Sequence, residues 1–131
     1  MNATAAQIKE RLPIWSALSE FFLDTELQPN DYERIAQKLA AGNYSENEIE
    51  KMLIHEVCPV CRWNALSPAG EWAGFDDEWL MEKIGPRYEK RIRFEFLFKI
   101  RHRWMYAKHW KKVKMRISEI RRQAAFAMRI V

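Results

Sequence analysis

The sequence predicts an all-α fold: a compact domain of five or six helices that ends in a long basic helix. Three observations carry this reading. Ala, Glu, Lys, Leu and Arg supply 59 of the 131 residues, while Val and Thr number only four and two and Gly with Pro only nine. That composition favours helix and disfavours a turn-rich sandwich or barrel. Apolar residues recur at spacings of three and four along most of the chain. Finally, residues 87 to 131 contain no Gly or Pro. The length suits one hydrophobic core, so residues 1–131 read as a single domain.

The first helix is expected to begin near Pro13, whose missing N–H is harmless in a first turn. Ile14, Trp15, Leu18, Phe21 and Phe22 form its apolar stripe, and it should end near Asp24 to Glu26. Gln28-Pro29-Asn30-Asp31 reads as a turn into a second helix, with Asn30 or Asp31 as N-cap and Tyr32, Ile35, Ala36 and Leu39 on one face. Gly42 supplies a left-handed stop. Ser45-Glu46-Asn47-Glu48 matches a capping box and opens a third helix at Glu46, with Ile49, Leu53, Val57 and Val60 as its buried seam. Pro59 lacks an N–H and clashes with the His55 carbonyl, so that helix should kink or break there. Arg62 to Phe75 reads as a connector whose Trp63, Trp72 and Phe75 fold back onto the core. Asp76 then caps a short helix through Trp79, Leu80 and Ile84, closed by Gly85-Pro86. From Arg87 onward one stripe runs through Phe96, Ile100, Trp104, Ala107, Trp110, Val113, Ile117, Ile120, Ala124, Met128 and Val131. An unbroken helix of about 40 residues would be roughly 60 Å long, so it either bends near Lys108 to Lys114 or projects.

Charge is strongly segregated. The net +4 divides into about −9 over the acidic half, residues 1–82, and about +13 over the basic segment, residues 83–131. No apolar run approaches the roughly 18 to 20 residues of a membrane helix, and the first residues lack the pattern of a signal peptide, so a soluble cytoplasmic protein is expected. Two cysteines three positions apart exclude a disulfide-stapled framework.

Chemistry-bearing constellations are sparse. Cys58-Pro59-Val60-Cys61 with His55 nearby suggests zinc or thiol exchange. A four-ligand site needs a second pair, however, and only His102 and His109 remain. The redox reading lacks its βαβ setting, so two ordinary semi-buried thiols and no metal are expected. His55-Glu56 lacks the second His of a zincin helix and reads as a polar or partly buried helix position. The carboxylate pairs Asp24/Glu26, Asp31/Glu33, Glu46/Glu48 and Asp76/Asp77 mostly lie at helix starts, where they complement the dipole. No nucleophile elbow or Gly-rich phosphate loop occurs. Neither an enzyme nor a cofactor is expected.

Lys108, Lys111, Lys112, Lys114, Arg116, Arg121 and Arg122 interleave with Trp104, Tyr106 and Trp110 as in nucleic-acid binders. The same pattern also fits core aromatics beside a solvated basic face. Equally, the basic helix can pack on the acidic half of its own chain or of a dimer partner, or meet an acidic protein.

Several segments carry a family resemblance: Leu12-Pro13-Ile14-Trp15-Ser16-Ala17-Leu18-Ser19, Phe22-Leu23-Asp24-Thr25-Glu26-Leu27, His55-Glu56-Val57 with Pro59, Asn64-Ala65-Leu66-Ser67, Ala69 to Asp76, and Trp79-Leu80. Over residues 12 to 125 the chain resembles a family of small uncharacterised bacterial proteins, a domain of unknown function whose members also end in an Arg-rich helix. The resemblance implies no enzymatic activity, and a cysteine at position 58 is not part of the family's pattern. Small proteins of this kind resemble the immunity proteins that neutralise interbacterial toxins. On that analogy the chain is expected to occlude a cognate toxin through an acidic surface of Asp24, Glu26, Asp31, Glu33, Glu46, Glu48 and Glu50, which would suit a basic nuclease. The alternative is a nucleic-acid-binding helix over Lys108 to Arg122. The Gly70-Glu71-Trp72-Ala73-Gly74 loop reads as a turn with Trp72 as a lid, or as binding surface.

Overall fold

The computed structural model describes residues 3–23, 26–66 and 75–130, and among these every regular element is helical. Helix α1 (Ala5–Ser19) starts well before Pro13. Its start is a capping box: the Thr4 hydroxyl accepts the Gln7 N–H at 3.2 Å, and the Gln7 carboxamide accepts the Thr4 N–H at 2.8 Å. Pro13 therefore lies inside the helix rather than at its first turn. A 3₁₀ turn, Glu20–Phe22, ends it, ahead of the expected Asp24 to Glu26.

Helix α2 (Pro29–Ala40) is capped at Gln28, not at Asn30 or Asp31. Pro29 fills the first helical position with its preset φ, and the Asp31 carboxylate reaches back to the Gln28 N–H at 2.8 Å. Gly42 is not the left-handed stop: the cap is Ala41, at φ −71°, in the right-handed region. The glycine instead permits close approach, because a Cβ there would sit 3.3 Å from the Ile14 Cδ1.

Helix α3 (Glu46–Met52) opens at Ser45, whose hydroxyl accepts the Glu48 N–H at 3.1 Å, as the sequence predicts. Pro59 does not break this rod. The chain passes through a π turn, Leu53–Val57, and continues as α4 (Cys58–Leu66), so Arg62 to Leu66 is helix and not connector. Trp63 is 61% exposed and does not fold back. Trp72 and the Gly70–Gly74 loop lie outside the described residues. Phe75 does pack inward, its ring 4.9 Å from that of Trp79. Helix α5 (Asp77–Ile84) has the expected Asp76 cap, at 2.7 Å from the Trp79 N–H, and a 3₁₀ turn Gly85–Arg87 follows.

The basic segment is two helices, α6 (Glu95–His102) and α7 (Ala107–Ile130), separated by a 3₁₀ turn at Arg103–Met105. The chain therefore turns before Lys108 to Lys114, not within it. Helix α7 spans about 36 Å. Trp110, Val113 and Ile117 of α7 enter the core alongside α2, whereas residues 122–129 are exposed and project. With α3 and α4 counted as one rod, the described helices number six. Their shared core is centred on Trp15, Leu18, Phe22, Leu39, Ile49, Leu53 and Leu80, all fully enclosed. Each such side chain contributes about 1.5–3 kcal/mol by leaving water.

Candidate functional site

The arrangement begins with a buried carboxylate. Glu56, 2% exposed, sits in the π turn and accepts the Trp15 indole N–H at 2.9 Å and the Glu89 backbone N–H at 2.7 Å. It also pairs with Arg11, which stacks on Tyr88 at 4.1 Å from the ring centroid and reaches Glu89 at 3.2 Å. Burial works to lower the Arg11 guanidinium, but Glu56 outweighs it and the net shift is upward.

Pro59 has a role in the same cluster. Having no N–H, it leaves the His55 carbonyl without its helical donor, and Arg87 takes that place with an Nε–H bond of 2.9 Å. The His55 Nδ1 accepts the Ile92 N–H at 3.1 Å, which places the ring proton on Nε2, 3.6 Å from the Glu95 carboxylate. Residues 87–92 are thus strapped to the core by Glu56 and His55, the pair the sequence offered as a polar or partly buried helix position and which is buried.

The strap delivers α6 to the surface. Two non-glycine residues here are left-handed, Glu89 at φ 58° and Phe94 at φ 54°. Glu89 is held by its amide bond to Glu56. Phe94 carries its ring 70% exposed. Phe96, Leu97, Ile100 and Trp104 are also exposed, at 61–73%. At 100° per residue, positions 96, 97 and 100 of α6 lie within about 100° of one another, and Trp104 follows in the 3₁₀ turn. Arg93, Lys99, Arg101 and Arg103 border this apolar face. Between α6 and α7 lies a cleft of about 620 Å³, walled by Lys99, Arg103, Lys108, Lys111 and Lys114.

The expected acidic surface is largely engaged within the chain. Glu33 holds Arg116 at 2.7 Å, and that bond lowers the carboxyl's pKa. Glu46 pairs with Arg121 at 3.2 Å, and Glu50 accepts the Trp110 indole N–H at 2.6 Å. Asp31 is lowered first by the Gln28 N–H and then by Arg34. Only Glu26 and Glu48 of the seven are described as exposed, and Asp24 lies outside the described residues. On the basic side Arg116 and Arg121 are engaged; Arg121 also donates to the carbonyls of Tyr44 at 2.7 Å and of Leu39 and Gly42 at 3.4 Å. Lys112 lies over Tyr32 at 5.0 Å. Lys108, Lys111, Lys114 and Arg122 are exposed. Two ion pairs, Glu33–Arg116 and Glu46–Arg121, therefore tie the acidic half to α7 within one chain, and exposed cations remain around α6, at the start of α7 and at its far end, Arg122 and Arg129.

Both cysteines are buried free thiols. Burial pushes Cys58 up to about 12 and Cys61 higher still. Among the described residues, no group of three His, Cys, Asp or Glu side chains could hold a metal ion, and no helix is long and apolar enough to cross a membrane.

These features define an all-helical domain that carries a cation-bordered apolar face on a short strapped helix. The family described as a domain of unknown function, DUF7079, matches residues 9–116, and the chain belongs to it. No curated protein and no solved structure matches the chain.

Proposed function

We propose that this chain is a non-catalytic binding protein of the immunity type. It covers an acidic, partly apolar face of a protein partner with the exposed face of α6. The observation that carries the reading is the exposed group of Phe96, Leu97 and Ile100 on α6 with Trp104 in the turn after it, four large apolar side chains in water with Arg and Lys on their flanks. Contiguous exposed apolar patches rimmed by charge mark interaction sites, and interface anchors are enriched in Trp and Arg. The aliphatic centre, Leu97 and Ile100, favours a protein over bases, which stack on aromatic rings. The internal pairing of Glu33, Glu46 and Glu50 argues against the acidic face, and so against a basic nuclease partner. Free thiols fit action in the cytoplasm.

The test is co-expression with the products of adjacent genes. A stoichiometric 1:1 complex with one of them, lost on Ile100→Asp while the fold is retained, supports the reading. A complex that Ile100→Asp leaves intact contradicts it.

A further inference from the structure

We infer that the cleft between α6 and α7, which adjoins the α6 face and shares Lys99 and Arg103 with its border, is a second binding site, for the phosphodiester backbone of a single-stranded nucleic acid. Five cations wall it: Lys99 and Arg103 on one side, Lys108, Lys111 and Lys114 on the other. Elsewhere on α7, Arg116 is answered by Glu33 and Arg121 by Glu46, while Lys112 lies over Tyr32 and Arg122 and Arg129 stand exposed beyond the cleft. In the cleft only Lys99 has such a partner among the described residues, the Glu95 carboxylate at 3.3 Å. The one carboxylate in the wall, Glu50, is already bonded to the Trp110 indole. Five cations against the single Glu50 carboxylate leave the concave surface predominantly positive, so the free protein carries repulsion that an anion relieves.

Spacing then selects the anion. Lys108 to Lys114 covers six residues, about 9 Å of helix, a length that fits two successive phosphates of an extended strand. Lys99 near the end of α6 and Arg103 in the turn after it add two cations on the facing side. Trp104, the residue after Arg103, is 69% exposed and is an aromatic ring on which a base of the same strand would stack. A duplex would bring a second backbone for which the cleft has no further row of cations.

Fluorescence anisotropy of a labelled 15-nucleotide oligothymidylate tests this with the full chain. Three to five phosphate contacts predict a log–log salt slope of about −2 to −3.5, or roughly a 20- to 100-fold loss of affinity between 50 and 200 mM salt. Lys111→Glu with Lys114→Glu should weaken binding at least tenfold and flatten the slope. Lys38→Glu with Lys83→Glu changes the net charge equally on exposed positions of α2 and α5 and should cost far less. Leu97→Ala, which trims the α6 face, adds no charge and lines no part of the cleft, should bind the oligonucleotide like wild type, which separates this site from the α6 face. No binding at 50 mM salt, equal losses from the two charge-reversal pairs, or tighter binding to a duplex of the same length would overturn the assignment.

Discussion

Trp15 and Glu56, forty-one positions apart, meet through a single hydrogen bond of 2.9 Å from the indole nitrogen to the carboxylate. That bond joins α1 to the π turn. The same carboxylate holds Arg11 and the Glu89 amide, so one side chain fastens α1, the central rod and the strap before α6.

Removing it leaves the largely buried Arg11 with only the exposed Glu89 carboxylate, and the Trp15 indole N–H and the Glu89 amide without their acceptor. Glu56→Ala should therefore destabilise the fold by about 3–5 kcal/mol in urea unfolding. Glu56→Gln keeps an acceptor for Trp15 and should lose less. A change below about 1 kcal/mol for the alanine variant would show that the cluster does not hold the strap.

The left-handed backbone at Phe94 places an exposed aromatic at the start of α6, where most of the ring faces water in the free chain. Such a conformation costs about 1–2 kcal/mol for a residue with a Cβ. Phe94→Gly should raise the melting temperature and weaken the partner complex. A lower melting temperature would mean that the ring is needed by the fold itself.

Three histidines set the pH dependence. His55 is lowered by burial foremost, with Arg91, Arg87 and Lys99 adding to this and Glu95 opposing it. His102 is lowered by burial and then by Arg62 and Arg101. His109, bonded to the Tyr32 hydroxyl at 2.6 Å, is lowered by burial and then by Lys108 and Lys112. Each binds fewer protons folded than unfolded below about pH 6.5. Their contribution is thus complete above that value and is lost as the pH falls toward the folded pKa values. Melting temperature should drop as pH falls below about 6.5, and NMR should follow the imidazoles titrating below that point. Titration at or above the ordinary imidazole value would contradict the burial.

Cys58 and Cys61 should not react with a disulfide reagent at about pH 8 in the native protein and should react fully in urea, because burial holds both as thiols. Rapid native labelling would place them at a surface.

Elements with a local signal were legible in the sequence. Ser45 and Asp76 sit immediately before their helices and cap them as read, and the stripe Trp110, Val113 and Ile117 is buried as its spacing requires. The start of α1 was not, because the Thr4–Gln7 box precedes a polar run and Pro13 competes as a first-turn residue. The charge segregation was visible, but not its resolution: Glu33 meets Arg116 across 83 positions, a separation no periodicity encodes. The Glu56 cluster was hidden for the same reason. Its partners lie 33 to 45 residues away, and the acceptor for Arg87 arises only from what Pro59 lacks. The first half of the basic stripe misled, since Phe96, Ile100 and Trp104 keep helical spacing yet face water.

The most direct measurement is hydrogen exchange on the complex with the co-expressed partner. Amides of residues 94–104 should gain protection on binding, while α2 and the first turns of α3 remain unchanged. Protection confined to α2 and α3, around Glu26 and Glu48, would show that the acidic face does the binding and that α6 does not.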